Sequence, residues 1–448
     1  MSNIVPAHKT GTMVKVADYA RRRRRLMQQL GKGSIAIVPS AQEIIRSRDT
    51  HFRFRQDSDF AYLTGFPEPN AVLVLIPGRP QGETVLFCNE RDPLAETWHG
   101  RRYGPERAAA AFQFDDAFPI DDIDEILPGL MEGRDRIHYA LGHNPDFDNT
   151  VMGWLNTLRA QVRKGVHPPG EIIDLRHQLH DMRLFKDAAE LKQMRAAAHA
   201  AAQGHIRAMR ATKAGVNEAQ IAAELSYEFA RHGAHHCAYN SIVAGGDNAC
   251  ILHYVENNMP LKDGDLLLVD AGAEYEWYAS DITRTFPVNG KFSALQRRCY
   301  EWVLKAQQAA IEQVKPGNTW NQIHDAAVRT LTQGLIDLGV LKGKLSDLLD
   351  GEAYKPYYMH KTGHWLGLDV HDVGDYQIDG QPRVLEPGMV LTVEPGLYFA
   401  PGTKGLAKKF HGIGIRIEDD VLVTKTGFEV LTTGVPKDPD EIEALMAA

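Results

Sequence analysis

The sequence has few cysteines, and none of them forms a compact motif. Its 448 residues include only four, which are far apart and without a CxxC pair: Cys88, Cys237, Cys250 and Cys299. This spacing argues against a disulfide scaffold and against a thiolate zinc site, and it is typical of proteins in a reducing compartment. We therefore predict that the protein is cytoplasmic.

Long apolar runs and an excess of basic side chains are also lacking. No run reaches the roughly 20 apolar residues of a membrane helix, and the N-terminus does not have the pattern of a signal peptide. Fifty basic side chains stand against 58 acidic ones, a formal net charge of −8. Since nucleic-acid binding favours a basic surface, we predict a soluble protein with neither a membrane nor a nucleic acid as its partner.

One local exception is the run of five consecutive arginines at 21–25. It lies within ADYARRRRRLMQQL, where Tyr19, Leu26, Met27 and Leu30 recur at roughly helical spacing. We therefore interpret the arginines as the solvent-exposed face of an amphipathic helix, and not as a nuclear-localisation or nucleic-acid patch.

Two patterns of predicted secondary structure divide the chain into two domains. In residues 1–175, helical stretches alternate with short apolar runs at 34–40, 71–78 and 84–90, which predicts an α/β domain with a buried sheet. In residues 176–448, two helices precede strand-like runs, and a helical interval near 293–340 interrupts the strands. The predicted class is therefore α+β, with a domain boundary near residue 175.

The second domain contains one internal similarity. LKDGDLLLVDAG (261–272) and LEPGMVLTVEPG (385–396) share a leucine, a glycine, a strand-like run, a valine, and then a carboxylate two residues before a glycine. Asp270 and Glu394 therefore occupy equivalent places, and a further carboxylate follows each of them, Asp281 and Glu418. Two similar hairpins that face each other would bring these four carboxylates together.

Four carboxylates in one core need a positive charge between them, because unpaired buried charges are costly or become protonated. A metal cluster supplies that charge. Shared carboxylates would hold two ions about 3.5–4 Å apart, the geometry of two-metal hydrolases. Adding an imidazole to the oxygen ligands favours manganese, iron, cobalt or zinc over calcium.

Three histidines of HKTGHWLGLDVHDVG (360–374) compete for the place of that imidazole: His360, His364 and His371. A helical HExxH zinc motif is excluded, because Lys361 stands where the catalytic glutamate would be and Gly363 interrupts the turn. Spacing alone does not choose among the three histidines.

Four segments together resemble the pita-bread metallopeptidases, a superfamily that includes methionine aminopeptidase, prolidase and aminopeptidase P. The segments are HKTGHWLGLDVHDVG, VDAGAEYEWYASDITRTF, LTVEPGLYF and GIGIRIEDDVLVT. The N-terminal stretch RSRDTHFRFRQDSDFAYLTGFPEPNAVLVLIPG is similar to the N-terminal domain of the aminopeptidase P family. The resemblance therefore implies an aminopeptidase P N-terminal domain in 1–175 and a catalytic pita-bread domain in 176–448.

Five metal ligands are implied by this resemblance: Asp270, Asp281, His364, Glu394 and Glu418. It implies that Asp281 and Glu418 bridge two divalent ions, for which we expect Mn²⁺, with Zn²⁺ or Co²⁺ as alternatives. His360 and His371 are then left to serve the substrate.

The implied activity is that of an Xaa-Pro aminopeptidase, which cleaves peptides between an N-terminal residue and a following proline. The resemblance and the chemistry of such a site together point to these catalytic residues: Glu394, His371, His253 and Arg416. The expected substrate-binding residues are His253, His360, His371, Tyr398 and Trp98. Glu394 would accept the proton of the attacking water, and the imidazoles would hydrogen-bond the peptide carbonyl.

Some alternatives stay open at this point. Prolidase, which cleaves only Xaa-Pro dipeptides, shares the ligand set, and some pita-bread domains are non-catalytic peptide-binding modules. The family resemblance also implies a homo-oligomer, a tetramer or a dimer, in which Trp98 of ETWHGRRYG reaches the site of a neighbouring copy.

Overall fold

The computed structural model describes residues 14–448 and divides into two compact units, one up to Met182 and one from Arg183. The sequence-based boundary near residue 175 lies just before the helix Arg176–Leu184, which crosses from one unit into the other. Among residues 14–448, no helix combines the length and the apolar composition that a membrane crossing needs.

The first unit is an α/β domain. Its helices are α1 (Val16–Leu30), α2 (Ser58–Thr64), α3 (Pro93–His99), α4 (Pro105–Phe112), α5 (Ile123–Met131), α6 (Pro145–Arg159) and α7 (Arg176–Leu184). Its strands are β1 (Ser34–Pro39), β2 (Ile45–Ser47), β3 (Thr50–His51), β4 (Val72–Leu75), β5 (Thr84–Cys88), β6 (Asp116–Pro119), β7 (Arg136–His138) and β8 (Glu171–Ile173).

Six of these strands form one mixed sheet, in the order β6, β5, β4, β1, β7, β8. The three apolar runs predicted as buried strands are β1, β4 and β5, and β4 and β5 are buried along their whole length. Continuous burial on both faces explains why their sequences are apolar without alternation.

The interpretation of the arginine run was wrong for two of its five members. Arg22 and Arg23 are 4% and 1% exposed. The guanidinium of Arg23 donates hydrogen bonds to the carbonyls of Leu63 at 2.9 Å, Phe112 at 3.0 Å and Gln113 at 2.7 Å. These carbonyls belong to the ends of α2 and α4, where the last turn of a helix leaves C=O groups without partners. Two of the arginines are therefore structural.

The second unit is strand-rich and has six helices. The helices are α8 (Ala188–Ala211), α9 (Glu218–Arg231), α10 (Ala294–Ile311), α11 (Trp320–Asp337), α12 (Leu345–Asp350) and α13 (Pro439–Ala447). The strands are β9 (His236–Cys237), β10 (Ile242–Gly245), β11 (Leu266–Asp270), β12 (Ala273–Tyr275), β13 (Tyr278–Ala279), β14 (Thr283–Pro287), β15 (Gln377–Ile378), β16 (Gln381–Pro382), β17 (Val390–Val393), β18 (Gly396–Phe399), β19 (Ile413–Arg416), β20 (Asp419–Val423) and β21 (Phe428–Val430).

The two similar sequence segments form two antiparallel pairs of strands. β11 pairs with β14, and β17 pairs with β20. Each pair belongs to a three-stranded sheet. The first pair lies in the sheet β10-β11-β14, and the second lies in the sheet β17-β20-β21. A backbone bridge between Thr283 and Glu418 joins the two pairs. The repeated sequence pattern thus corresponds to a repeated structure, and the predicted helical interval near 293–340 contains α10 and α11.

Candidate metal centre

Four carboxylates reach one cavity from the ends of the two strand pairs. Asp270 is the last residue of β11, and Asp281 lies two residues before β14. Glu394 directly follows β17, and Glu418 directly precedes β20. All four line a cavity of about 400 Å³. The structure therefore brings together the four carboxylates that the repeated sequence pattern singled out.

The segment that carries His364 lies directly against β17. The N–H of Thr392 donates to the carbonyl of His364 at 2.9 Å, and the N–H of Glu394 donates to the carbonyl of Thr362 at 2.8 Å. This close approach requires glycine at position 363, because a Cβ on Gly363 would collide with the carbonyl oxygen of Thr392. These backbone hydrogen bonds thus place His364 beside the carboxylates.

The imidazole of His364 has the orientation of a metal ligand. Its Nδ1 lies 2.9 Å from the carbonyl oxygen of Trp365, which can only accept, so Nδ1 carries the proton. Its Nε2 then presents a lone pair to the cavity, 3.4 Å from Asp281 Oδ2 and 3.8 Å from Glu394 Oε1. A backbone carbonyl that fixes the tautomer in this way is typical of metal-binding histidines.

Three carboxyl groups of the cavity, those of Asp281, Glu418 and Glu394, are destabilised as anions. Burial and the neighbouring charge of Asp270 raise the pKa of Asp281 well above its usual range. Burial and the charges of Asp281 and Asp270 do the same for the pKa of Glu418. For Glu394, burial and the charge of Glu418 raise the pKa to about 8. The site therefore has too little positive charge of its own.

One buried guanidinium faces these carboxylates and starts a chain of hydrogen bonds. Arg416 donates to Asp270 Oδ2 at 2.6 Å and to the hydroxyl of Tyr398 at 2.9 Å. The ring of His360 lies 2.7 Å, through Nδ1, from the carbonyl of Lys361 and 2.9 Å, through Nε2, from the Tyr398 hydroxyl. Nδ1 therefore carries the proton, and Tyr398 donates to Nε2. Burial and the charge of Arg416 lower the pKa of His360 to about 4, so its ring is neutral at pH 7.

Two further predicted histidines also face the cavity. His253 and His371 line its wall, and the rings of His371 and His364 meet edge to face with centroids 4.3 Å apart. Tyr398 is 1% exposed and lies behind the wall, in contact with the cavity-lining His360 and Arg416. Trp98 lies on α3 in the first unit, and its side chain is 77% exposed.

Sequence reasoning missed two hydroxyl groups that bind the carboxylates. The Tyr239 hydroxyl lies within hydrogen-bond distance of both Asp270 and Asp281, and Thr283 Oγ1 donates to Glu418 Oε2 at 2.6 Å. The signal for Thr283 was its position two residues after Asp281, since alternate residues of an extended segment share a face. Tyr239 is not part of any of the quoted motifs.

The donor set and its charge fit divalent metal ions. Asp281, His364 and Glu418 each offer a ligand atom, and these atoms lie within 4.8 Å of one another. The described cavity wall sets two basic side chains, Arg416 and Lys361, against four carboxylates, so divalent cations would supply the missing positive charge. Carboxylates with one imidazole, at the wall of a cavity and on two joined strand pairs, define a metal-dependent hydrolase.

Comparison with known proteins gives the same class and a family. The model for metallopeptidase family M24 matches residues 192–425, and that for the aminopeptidase P N-terminal domain matches residues 19–138. The chain is 46% identical to the Xaa-Pro aminopeptidase of Escherichia coli over 96% of its own length and 98% of that protein. It is 47% identical to the Xaa-Pro aminopeptidase of Haemophilus influenzae over 96% and 97%, respectively.

Solved structures agree with these matches. The aminopeptidase PepP of Pseudomonas aeruginosa superposes with a TM-score of 0.96 at 58% identity, covering 97% of this chain and 98% of the other. Proline aminopeptidase P II of Yersinia pestis superposes with a TM-score of 0.94 at 48% identity, covering 97% and 100%. The chain belongs to metallopeptidase family M24, and the predicted α+β pita-bread fold with an aminopeptidase P N-terminal domain is confirmed.

Proposed function

We propose that this metallopeptidase is an Xaa-Pro aminopeptidase that releases the N-terminal residue from peptides with proline in second place. The observation that carries the proposal is that all five proposed ligand residues line one cavity together with His253, His360 and His371. Relatives that share nearly half of its residues over their whole length carry that activity in their names. We also propose a cytoplasmic location, which its four free cysteines favour.

The residues proposed to hold two divalent ions are Asp270, Asp281, His364, Glu394 and Glu418. We propose Mn²⁺ as the resident ion, with Zn²⁺ and Co²⁺ as alternatives that the same oxygen and nitrogen donors would accept. When bound, such ions supply the Lewis acidity that lets a water molecule lose a proton at neutral pH and that polarises a carbonyl.

The side chains at and around the proposed ligands would transfer the protons and hold the polar groups in position. The Glu394 carboxylate is the proposed acceptor of the water's proton, which it then passes to the leaving proline nitrogen. One of its oxygens lies 3.8 Å from Nδ1 of His360, and the other lies 3.8 Å from Nε2 of His364. Arg416, through Asp270 and Tyr398, keeps the polar groups behind this proton path in fixed positions.

The expected substrate explains the use of several imidazoles. A proline after the scissile bond makes that bond a tertiary amide without an N–H group. Recognition must then rely on the carbonyl oxygen, the free amine and the proline ring. His253 and His371, on the cavity wall, are the proposed donors to the carbonyl oxygen and to the tetrahedral oxyanion that follows.

The first test compares two substrates on metal-free protein resupplied with Mn²⁺. We expect an Xaa-Pro-Yaa tripeptide to be cleaved, with little cleavage of the matching Xaa-Pro dipeptide and none of the tripeptide with alanine replacing proline. Activity should disappear with chelator and return with metal. Chromatographic detection of the released N-terminal residue measures all three reactions.

Each other outcome has a defined meaning. Cleavage confined to the dipeptide would make the protein a prolidase. Metal binding without cleavage of any Xaa-Pro peptide would favour a non-catalytic peptide-binding module. Cleavage that persists unchanged in chelator would contradict the metal-dependent mechanism.

We further propose that the chain forms a homo-oligomer, a dimer or tetramer, through its first unit. Helix α3, which the structure describes in full, has no buried residue, and its Leu94 and Trp98 side chains are 70% and 77% exposed. Adjacent exposed apolar side chains on a helix are typical of interaction sites. We expect the full chain to sediment as an oligomer and a Leu94→Glu, Trp98→Glu double variant to shift towards monomer. A monomeric parent chain would contradict this proposal.

A further inference from the structure

A long loop between β10 and β11 carries one of the cavity histidines. His253 lies in this loop, and three loop side chains line the cavity: Leu252, His253 and Val255. This part of the loop is open to solvent, since Ile251 is 55% and Val255 is 47% exposed. An exposed loop does not hold an imidazole in a fixed position by burial alone, so the anchors of this loop decide where His253 points.

The main anchor is a buried carboxylate from another element. Glu218, the first residue of α9, is 0% exposed. Its Oε1 accepts hydrogen bonds from the N–H of Gly245 at 2.9 Å and from Asn248 Nδ2 at 3.0 Å. Its Oε2 accepts from the Tyr254 hydroxyl at 2.8 Å and from the N–H of Met259 at 3.0 Å. One carboxylate therefore binds both ends of the segment 245–259 and two residues between them, Asn248 and Tyr254.

Tyr254 is the direct neighbour of His253. Tyr254 is 5% exposed and packs among buried residues of β10 and β11 and against Tyr398. Its hydroxyl reaches Glu218 from this core. Since consecutive Cα atoms are a fixed distance apart, an immobile Tyr254 fixes the backbone from which His253 extends towards the cavity.

We infer that Glu218 is a positioning residue that holds His253 in the wall of the active site. The inference rests on the proposed function, in which His253 contacts the peptide carbonyl. Glu218 does not line the cavity, so it acts on the reaction through the loop. Misplacing a catalytic group by about 1 Å costs on the order of 10²-fold in rate, so four hydrogen bonds at the base of the loop have a measurable effect on turnover.

A Glu218→Gln variant tests the inference. Glutamine has the same shape, but its amide nitrogen would face two of the four donors, so about half of the anchoring bonds are lost. We expect kcat/KM for an Xaa-Pro-Yaa tripeptide to fall by about 10- to 100-fold. We expect the affinity for Mn²⁺, measured by calorimetry, to stay unchanged, because none of the five ligand residues lies on this loop.

A double-mutant cycle separates positioning from a general structural role. If Glu218 acts through His253, Glu218→Gln should cost little further activity in a His253→Ala background. Additive losses would overturn the inference, as would full activity of the single Glu218→Gln variant. Glu224→Gln, on the solvent side of the same helix α9 with Arg207 as its partner, is the matched control and should keep the activity of the parent chain.

Two further measurements keep the test decisive. Hydrogen exchange in Glu218→Gln should be faster across 246–259. It should be unchanged in β11 and β17, the strands that end at or directly before the proposed ligands Asp270 and Glu394. If the parent chain cleaves no Xaa-Pro peptide, the proposed function fails, while this exchange pattern still tests the anchor; unchanged exchange refutes the anchor whatever the substrate. Should Glu218→Gln fail to fold, Tyr254→Phe removes one of the four bonds and should show the same non-additivity with His253→Ala at smaller amplitude.

Discussion

An Asp281→Asn variant is expected to lose activity and to unfold, when free of metal, at a higher temperature than the metal-free parent chain. In the parent chain, burial and the charges of Asp270 and Glu394 oppose ionisation of Asp281 and raise its pKa. A neutral amide of the same shape removes that penalty. It also removes a proposed bridging ligand, so we expect kcat/KM to fall by about 10³-fold, roughly 4 kcal/mol of transition-state stabilisation.

Calorimetric unfolding with and without Mn²⁺ measures the stability of the variant and of the parent chain in both states. Metal that binds the folded state alone raises the unfolding temperature of the parent chain, and that increase should be much smaller in Asp281→Asn. Asp121→Asn, at an exposed carboxylate of the first unit, should change neither quantity. A metal-free Asp281→Asn protein less stable than the parent chain would show that the carboxylates do not repel one another in the fold.

Replacing Asp372 by asparagine is expected to destabilise the protein by about 3–5 kcal/mol at pH 7, although Asp372 is not a proposed ligand. Its carboxylate accepts from Lys186 Nζ at 2.8 Å and from Arg183 Nη2 at 2.6 Å. The side chains of Asp372 and Lys186 are each 1% exposed, and that of Arg183 is 3% exposed. Asparagine would remove the anion that the buried Lys186 and Arg183 share, and Arg183 would keep only its pair with Asp369 at 2.7 Å, whose side chain is 38% exposed.

The effect should depend on pH in a defined direction. Burial alone would raise the pKa of Asp372, but the charges of Lys186 and Arg183 lower it below its ordinary value. The stabilisation is then complete above the unfolded pKa of about 3.9 and is lost as the pH falls through the lower folded value. The difference between parent chain and variant should therefore shrink in strong acid.

Urea denaturation at neutral and acidic pH measures both effects. The control is Glu429→Gln, which breaks the ion pair between Glu429 and Arg195. The two side chains are 43% and 44% exposed, respectively. That pair should contribute less than about 1 kcal/mol, because water screens it. An Asp372→Asn loss no larger than the loss in this control would contradict a buried, charge-compensated network.

Local patterns explain why the sequence predicted the strands and the carboxylate cluster. The buried runs at 34–40, 71–78 and 84–90 could be recognised because a strand covered on both faces is apolar throughout. Asp270 and Glu394 could be paired because each ends the same kind of strand in a repeated segment. The five ligand roles depended on family resemblance, and they stay predictions until metal binding is measured.

The rest depended on contacts between distant residues. Asp372 is 186 positions from Lys186, and Tyr239 is 31 from Asp270; no local period connects such pairs. The interpretation of the arginine run was partly wrong for another reason. In five identical side chains the sequence does not show which of them face protein, and the carbonyls that bind Arg23 lie 40 and 89 positions away.

The bridge between Thr283 and Glu418 has a consequence for biosynthesis. These two residues lie 135 positions apart, and each lies at a different strand pair of the candidate metal centre. A growing polypeptide folds from its N-terminal side, so Asp270 and Asp281 leave the ribosome long before Glu394 and Glu418 exist. During that interval the early carboxylates lack the second strand pair, so the proposed metal site is complete only after that pair has been synthesised. We therefore expect metal to bind a largely completed chain, and metal starvation to leave a folded but inactive pool that can be activated later.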